Sequence, residues 1–150
     1  MIRSALFAAA LALAACTPAQ EAKEENMATG AEVPAPTPDD VAVRITAAQN
    51  GETVNVAIGQ RFAIELIGVP TAGYVWAPAQ VPDFITRAGE ASGNTVAEQS
   101  EPGYAGGNHW EVTMFSATGP GTGEIVMEQR RPWESSEPAA DTFRVTIVAQ

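Results

Sequence analysis

From Val41 to the end of the chain, apolar side chains recur at every second position rather than every third or fourth. Phe62, Ile64 and Leu66 alternate with Ala63 and Glu65. Val41, Val43 and Ile45 share one face, as do Val54, Val56 and Ile58. Trp110, Val112 and Met114 alternate with Glu111 and Thr113, Ile125 and Met127 with Glu124, Val126 and Glu128, and Phe143, Val145 and Ile147 with Arg144 and Thr146. Successive side chains of a strand point to opposite faces, so this pattern gives each strand one apolar and one wet face. Turn formers separate the runs: Asn50-Gly51, Gly59, Gly68 to Gly73, Gly89, Gly93, Gly103 to Asn108 and Gly119 to Gly123. No segment of this region carries an amphipathic helical pattern over about eleven or more residues. Short strands at this spacing predict an all-β sandwich or barrel.

Residues 41–150 make one domain of about 110 residues, the size of an immunoglobulin-like β-sandwich. The chain of 150 residues has one Cys and one His, so neither a disulfide scaffold nor a His/Cys zinc cage fits within it. A sandwich without disulfides must be held by its apolar faces. The formal net charge is -10, which excludes the clustered positive charge of a nucleic-acid-binding surface. No cofactor or metal-loop motif is present. A Ser-His relay would depend on His109 with Ser92, Ser100 or Ser116, and none of these lies in a nucleophile elbow. A non-enzyme is expected.

The N-terminus is a separate matter. Met1-Ile2-Arg3-Ser4 is a short basic stretch, followed by the apolar run Ala5 to Ala15. About 20 apolar residues are needed to span a bilayer, so this run has the layout of a secretory signal, residues 1–15. The solitary cysteine follows directly in Leu13-Ala14-Ala15-Cys16, which resembles a bacterial lipobox. The resemblance implies cleavage before Cys16, lipid attachment to it and a membrane-bound mature protein. Thr17 after the cysteine, rather than Asp, implies an outer-membrane lipoprotein of the cell envelope, facing the periplasm. Residues 16–40 are rich in Ala, Pro, Glu and Thr and have no aromatic, so a disordered tether is expected there.

Three loop segments hold residues that ordinary connectors do not need. The first is Gly68-Val69-Pro70-Thr71-Ala72-Gly73-Tyr74-Val75-Trp76. The second runs from Glu101 to Trp110 and includes Tyr104-Ala105-Gly106-Gly107. The third is Arg130-Arg131-Pro132-Trp133-Glu134. Trp76 and Trp110 read as core or loop support. Trp133 follows a proline, which interrupts strand pairing, and reads as a partner anchor.

Together the three segments resemble the chagasin-like inhibitors of papain-type cysteine peptidases. That family carries an Asn-Pro-Thr-Thr-Gly-Tyr/Phe-x-Trp loop, a Gly-x-Gly-Gly-like loop and an Arg-Pro-Trp/Phe loop, in this order. Here Val69 stands for the Asn, Ala72 for the second Thr and Ala105 for a common Gly. The resemblance implies a monomeric immunoglobulin-like sandwich with three binding loops at one end. It implies reversible, competitive blocking of the peptidase cleft, with no catalysis and no cofactor. The peptidase-binding residues it implies are Pro70, Thr71, Ala72, Gly73 and Tyr74, then Tyr104, Ala105, Gly106 and Gly107, then Arg131, Pro132 and Trp133. The rival reading is a non-inhibitory, envelope-anchored binding or adhesion module on the same sandwich, because a fold does not dictate a function.

Overall fold

The computed structural model describes residues 31–150. The signal segment and Cys16 lie outside the described residues. Eight strands follow one another: β1 (Val41–Thr46), β2 (Thr53–Val56), β3 (Arg61–Gly68), β4 (Val75–Gln80), β5 (Ile85–Asn94), β6 (His109–Ala117), β7 (Gly121–Arg130) and β8 (Asp141–Ala149). They form two four-stranded sheets, in the orders β1-β3-β6-β5 and β2-β8-β7-β4. β1 runs parallel to β3 and β2 parallel to β8; the other pairings are antiparallel. The expected immunoglobulin-like β-sandwich is the fold of this chain.

The main core lies between the sheets and is built by the alternating residues. Phe62, Ile64 and Leu66 of β3 meet Ile125 and Met127 of β7 and Phe143, Val145 and Ile147 of β8. At its centre the rings of Phe62 and Phe115 stack with centroids 5.6 Å apart. Pro78 is accommodated because β4 is an edge strand, where a missing N–H breaks no ladder, and the register shifts just beyond it.

Three expectations are corrected. Val41 does not share a face with Val43 and Ile45: the pairing of β1 with β3 shifts register between Val41 and Val43, so Val41 is buried on the outer face while Val43 and Ile45 pack in the main core. Ile58 does not extend β2; it sits in the turn closed by Gln60 N–H on Ala57 O and is exposed. Its turn needs Gly59 at φ +81°, which ends the strand.

The largest correction concerns β6 and the tether. Trp110, Val112 and Met114 do share a face, but it is the outer face of their sheet. Phe115 and Ala117 point to the main core instead. That outer face is covered by residues 31–40, which the composition marked as disordered. Ala35 and Val41 are buried there with Ala63, Val112 and Met114 in a second apolar cluster. Thr37 is buried too, and its hydroxyl donates to the carboxylate of Glu65. Arg44 faces the same carboxylate at 3.7 Å and donates to Thr37 O at 3.2 Å. The physical reason is that an apolar-poor segment orders readily when a sheet already offers the apolar surface. β3 is accordingly buried at every position from Phe62 to Leu66, including Glu65.

Candidate functional site

Strand register brings the three loops to one end of the sandwich. Gly68, at the end of β3, pairs with His109 at the start of β6, and Asn94 at the end of β5 pairs with the same residue. In the other sheet Val75 pairs with Arg130, and Gln129 with Asp141. Segments 69–74, 95–108 and 131–140 therefore leave and re-enter the sheets at the same edge.

The first loop is closed at its root by a pair of backbone hydrogen bonds between Val69 and Tyr74, each 3.3 Å. Between them Pro70–Ala72 makes a 3-10 turn, with Ala72 N–H on Val69 O and Gly73 N–H on Pro70 O, each 2.9 Å. Proline suits the first position of such a turn because its φ is already set. Gly73 reverses the chain at φ +83°, a conformation that side chains resist. Pro70, Thr71 and Ala72 are left exposed at the crest.

The third loop folds onto the first. Glu134 N–H bonds Arg131 O at 3.0 Å, making a tight turn that lifts Pro132 and Trp133 outward. Arg131 Nε donates to Ala72 O at 3.0 Å, its Nη1 pairs with Glu134 at 3.2 Å, and its guanidinium lies 4.5 Å from the Tyr74 ring centroid. The Trp133 ring passes over Gly73 so closely that a Cβ there would overlap it. Yet Trp133 is 70% exposed, the largest exposure among the large apolar side chains of the described residues. Arg130 fastens the far side of the loop by donating to the carbonyls of Ser135 and Glu137.

The second loop is built differently. Within the short turn Ala97–Ser100, Gln99 turns its side chain back into the loop root. Its Oε1 accepts from Thr95 N–H at 2.6 Å and Val96 N–H at 3.0 Å, and its Nε2 donates to Asn108 O at 2.8 Å. One side chain thus clamps both ends of the loop. Gly103, Gly106 and Gly107 all have positive φ, and the Tyr104 ring lies against Gly107. Tyr104 is 46% exposed and Ala105 is also on the surface.

All twelve residues expected at the binding surface therefore lie at one end of the domain. Pro70 to Tyr74 and Arg131 to Trp133 are joined in one contact network. Tyr104 to Gly107 form a neighbouring lobe, with no hydrogen bond to the other two loops among the described residues. Trp76 is a support residue, as expected: it packs on the main core and its Nε1 donates to Ile67 O at 2.9 Å, tying the sheets below the first loop. Trp110 supports from the other face, donating to Val33 O at 2.7 Å.

Sequence reasoning missed Gln99 and Glu111. Nothing in composition or spacing marks a glutamine that folds back on its own loop. Glu111 stands on the β6 face opposite Val112, and its Oε2 accepts from Trp76 N–H at 2.7 Å. Its Oε1 is buried against Gly68 without a hydrogen-bond partner among the described residues. Burial pushes its pKa up, against the lowering effects of the Trp76 bond and of His109. A charged residue in the inward register of a strand is the signal that could have found it. His109 forms no relay: its buried Nδ1 has no hydrogen-bond partner among the described residues. Ser116 sits at the opposite end of β6, bonded to Gln60 O, and Ser100 is bonded by Asn94.

Residues 55–147 match the family described as chagasin family peptidase inhibitor I42, a span that includes all three loops. This chain belongs to the chagasin family of peptidase inhibitors. The non-enzymatic reading follows from that membership. Amoebiasin-1 of Entamoeba histolytica is 34% identical over 93 residues, covering 59% of this chain and 82% of the relative. Chagasin of Trypanosoma cruzi is 30% identical over 114 residues, covering 69% of this chain and 93% of the relative. Among solved structures, the cysteine protease inhibitor EhICP2 from Entamoeba histolytica superposes with a TM-score of 0.62 at 20% identity, covering 76% of this chain and all of its own. The family model starts in β2, so β1 and the segment ahead of it lie beyond the matched region.

Proposed function

We propose that this domain is a reversible, competitive inhibitor of papain-type cysteine peptidases that occludes the active-site cleft with its three loops. The observation that carries the reading is the interlock of the first and third loops. Trp133 over Gly73, and Arg131 between Ala72 O and Tyr74, make a preformed wedge with an exposed crest and an exposed tryptophan. Among the described residues every positive φ falls on a glycine, so these loops hold their shape without backbone strain. A binder that is already ordered loses little conformational entropy on association.

The roles follow from placement. Pro70, Thr71 and Ala72 enter the cleft, and Gly73 and Tyr74 shape the turn beneath them. Tyr104, Ala105, Gly106 and Gly107 present backbone along one wall. Arg131 and Pro132 set the position of Trp133 against the other. A large aromatic at such a site typically contributes about 2 kcal/mol or more. No bond is made or broken, so the inhibitor is recovered intact. The test is a titration of papain with the mature chain: activity should fall in proportion to inhibitor and recover on dilution or with excess substrate. Full activity at micromolar inhibitor would sink the reading.

Cys16 is proposed as a lipid-attachment site that holds the domain in the bacterial envelope, at the outer membrane and facing the periplasm. The supporting observations are the basic and apolar leader and the position of the chain's single cysteine. Dual acylation supplies stable anchoring where one chain gives only marginal binding. Expression of Cys16→Ser should move the protein from the membrane to the soluble fraction, and an unchanged distribution would remove the anchor.

A further inference from the structure

The second loop lacks the interlock that holds the other two, and its crest is exposed and rich in glycine. Beside the Gln99 clamp, a second set of contacts reaches its roots from the N-terminal segment. We infer that residues 31–37, which precede the family's matched region, form a strap that positions the second loop for the peptidase. This inference rests on the inhibitory reading above.

The strap holds both roots of the loop. On the incoming side, Val33 N–H donates to Thr95 O at 2.9 Å and Ala97 N–H donates to Ala31 O at 3.0 Å, with Glu32 bridged to Val96. On the outgoing side, Trp110 Nε1 donates to Val33 O at 2.7 Å. Val33 thus uses its N–H on one root and its carbonyl on the other. Below, Pro36 seats on Gly93, where a Cβ would stand 3.2 Å from the proline ring. Ala35 is buried in the outer cluster, and Thr37 is pinned to Glu65 and Arg44.

The composition of the strap suits this task. Pro34, Pro36 and Pro38 restrict φ and remove backbone donors, so the segment stays extended and keeps few N–H groups to satisfy. Val33, whose N–H is needed, is not a proline. The lower end is anchored in the sheet at β1, and the upper end is the part that touches the loop. Val33 and Trp110 are positioning residues: they shape the loop and need not touch the peptidase.

The test uses the mature chain, two strap variants and one control variant. Val33→Pro removes the donor to Thr95 O. Trp110→Phe removes the donor to Val33 O while keeping an aromatic ring in the cluster. Ile147→Val, a main-core change on β8 in the other sheet and away from the strap, shows what lost stability does by itself. Hydrogen exchange at Tyr104 to Asn108 and the dissociation rate of the papain complex are measured for each. Both strap variants should exchange faster in the loop and dissociate about tenfold faster, with Ile147→Val near the parent in both. If the strap variants exchange faster at 31–37 while loop exchange and dissociation stay at parent values, the inference is overturned. If the parent does not inhibit papain, the functional reading fails, and loop exchange decides the strap: faster exchange in Val33→Pro upholds it, and unchanged exchange overturns it.

Discussion

The first and third loops stiffen each other, whereas the second is held only at its roots, by its own Gln99 and by the N-terminal strap. In the first pair, a tryptophan ring rests on a glycine and an arginine bridges a carbonyl and a tyrosine. In the second, a folded-back glutamine and the N-terminal strap hold the roots while the crest stands free. The difference teaches that three loops at one end of a sandwich need not form one cooperative unit. Two share their packing and should respond together; the third should respond alone. Residues in contact couple energetically, and separate ones add.

The sharpest break of that comparison is Gly73→Ala. The added methyl meets both a positive φ and the Trp133 ring, so the first and third loops should be displaced at once. Inhibition of papain should weaken by roughly 100-fold or more, a loss of about 3 kcal/mol at 1.4 kcal/mol per decade. Next comes Trp133→Ala. The side chain is exposed, so the melting temperature should hold while affinity falls about 30-fold. In the double variant the two effects should be strongly non-additive, because both act on the same contact. Additivity there would separate the loops that the structure joins.

Arg131→Lys ranks third. Lysine keeps the charge but cannot span Ala72 O, Glu134 and the Tyr74 face with one planar group. Affinity should drop several-fold, about 1 kcal/mol, by the same titration. Gln99→Ala sharpens the other half of the comparison. It should weaken inhibition by about fivefold through the second loop only, near the 1 kcal/mol of an ordinary hydrogen bond. Combined with Trp133→Ala, its effect should simply add.

The smallest effect concerns pH. Burial raises the Glu111 pKa in the folded state, so folding favours the protonated carboxyl. That contribution is present below the ordinary carboxylate pKa and is lost as pH rises through the raised value. Glu111→Gln should therefore gain in melting temperature relative to the parent between pH 4 and pH 7. A constant difference across that range would show that Glu111 does not titrate differently on folding.

Much of this was legible in the chain, and the illegible part has a common cause. Alternation identified the inner faces of β3, β7 and β8 because the large apolar side chains lie there, while the outward positions hold Ala63 and Glu65 in β3, Glu124 and Glu128 in β7, and Arg144 and Thr146 in β8. It misassigned the face of β6 because that sheet is buried on both sides, and period two cannot say which apolar face meets the other sheet. The three loops were legible because glycine and proline mark the turns and a tryptophan beside them is costly unless it supports the loop or meets a partner. Gln99 and Val33 were not, since each acts through backbone partners that any residue type could supply. The strap was hidden for a related reason: Ala35 and Thr37 look solvated until the outer face of β3 and β6 is seen beneath them.

The strap also sets a direction. The chain enters the domain at Ala31 beside Thr95 to Ala97, at the loop end, whereas β8 finishes at Ala149 beside Gly121, at the other. With Cys16 as the proposed point of attachment, residues 17–30 are all that separate the surface from the loops. Fully extended, they reach at most about 50 Å. Such a leash would hold the inhibitory end toward the membrane and limit its work to a shallow layer above it. Its targets would be met by proximity, and lengthening this segment should widen the layer without altering a single contact.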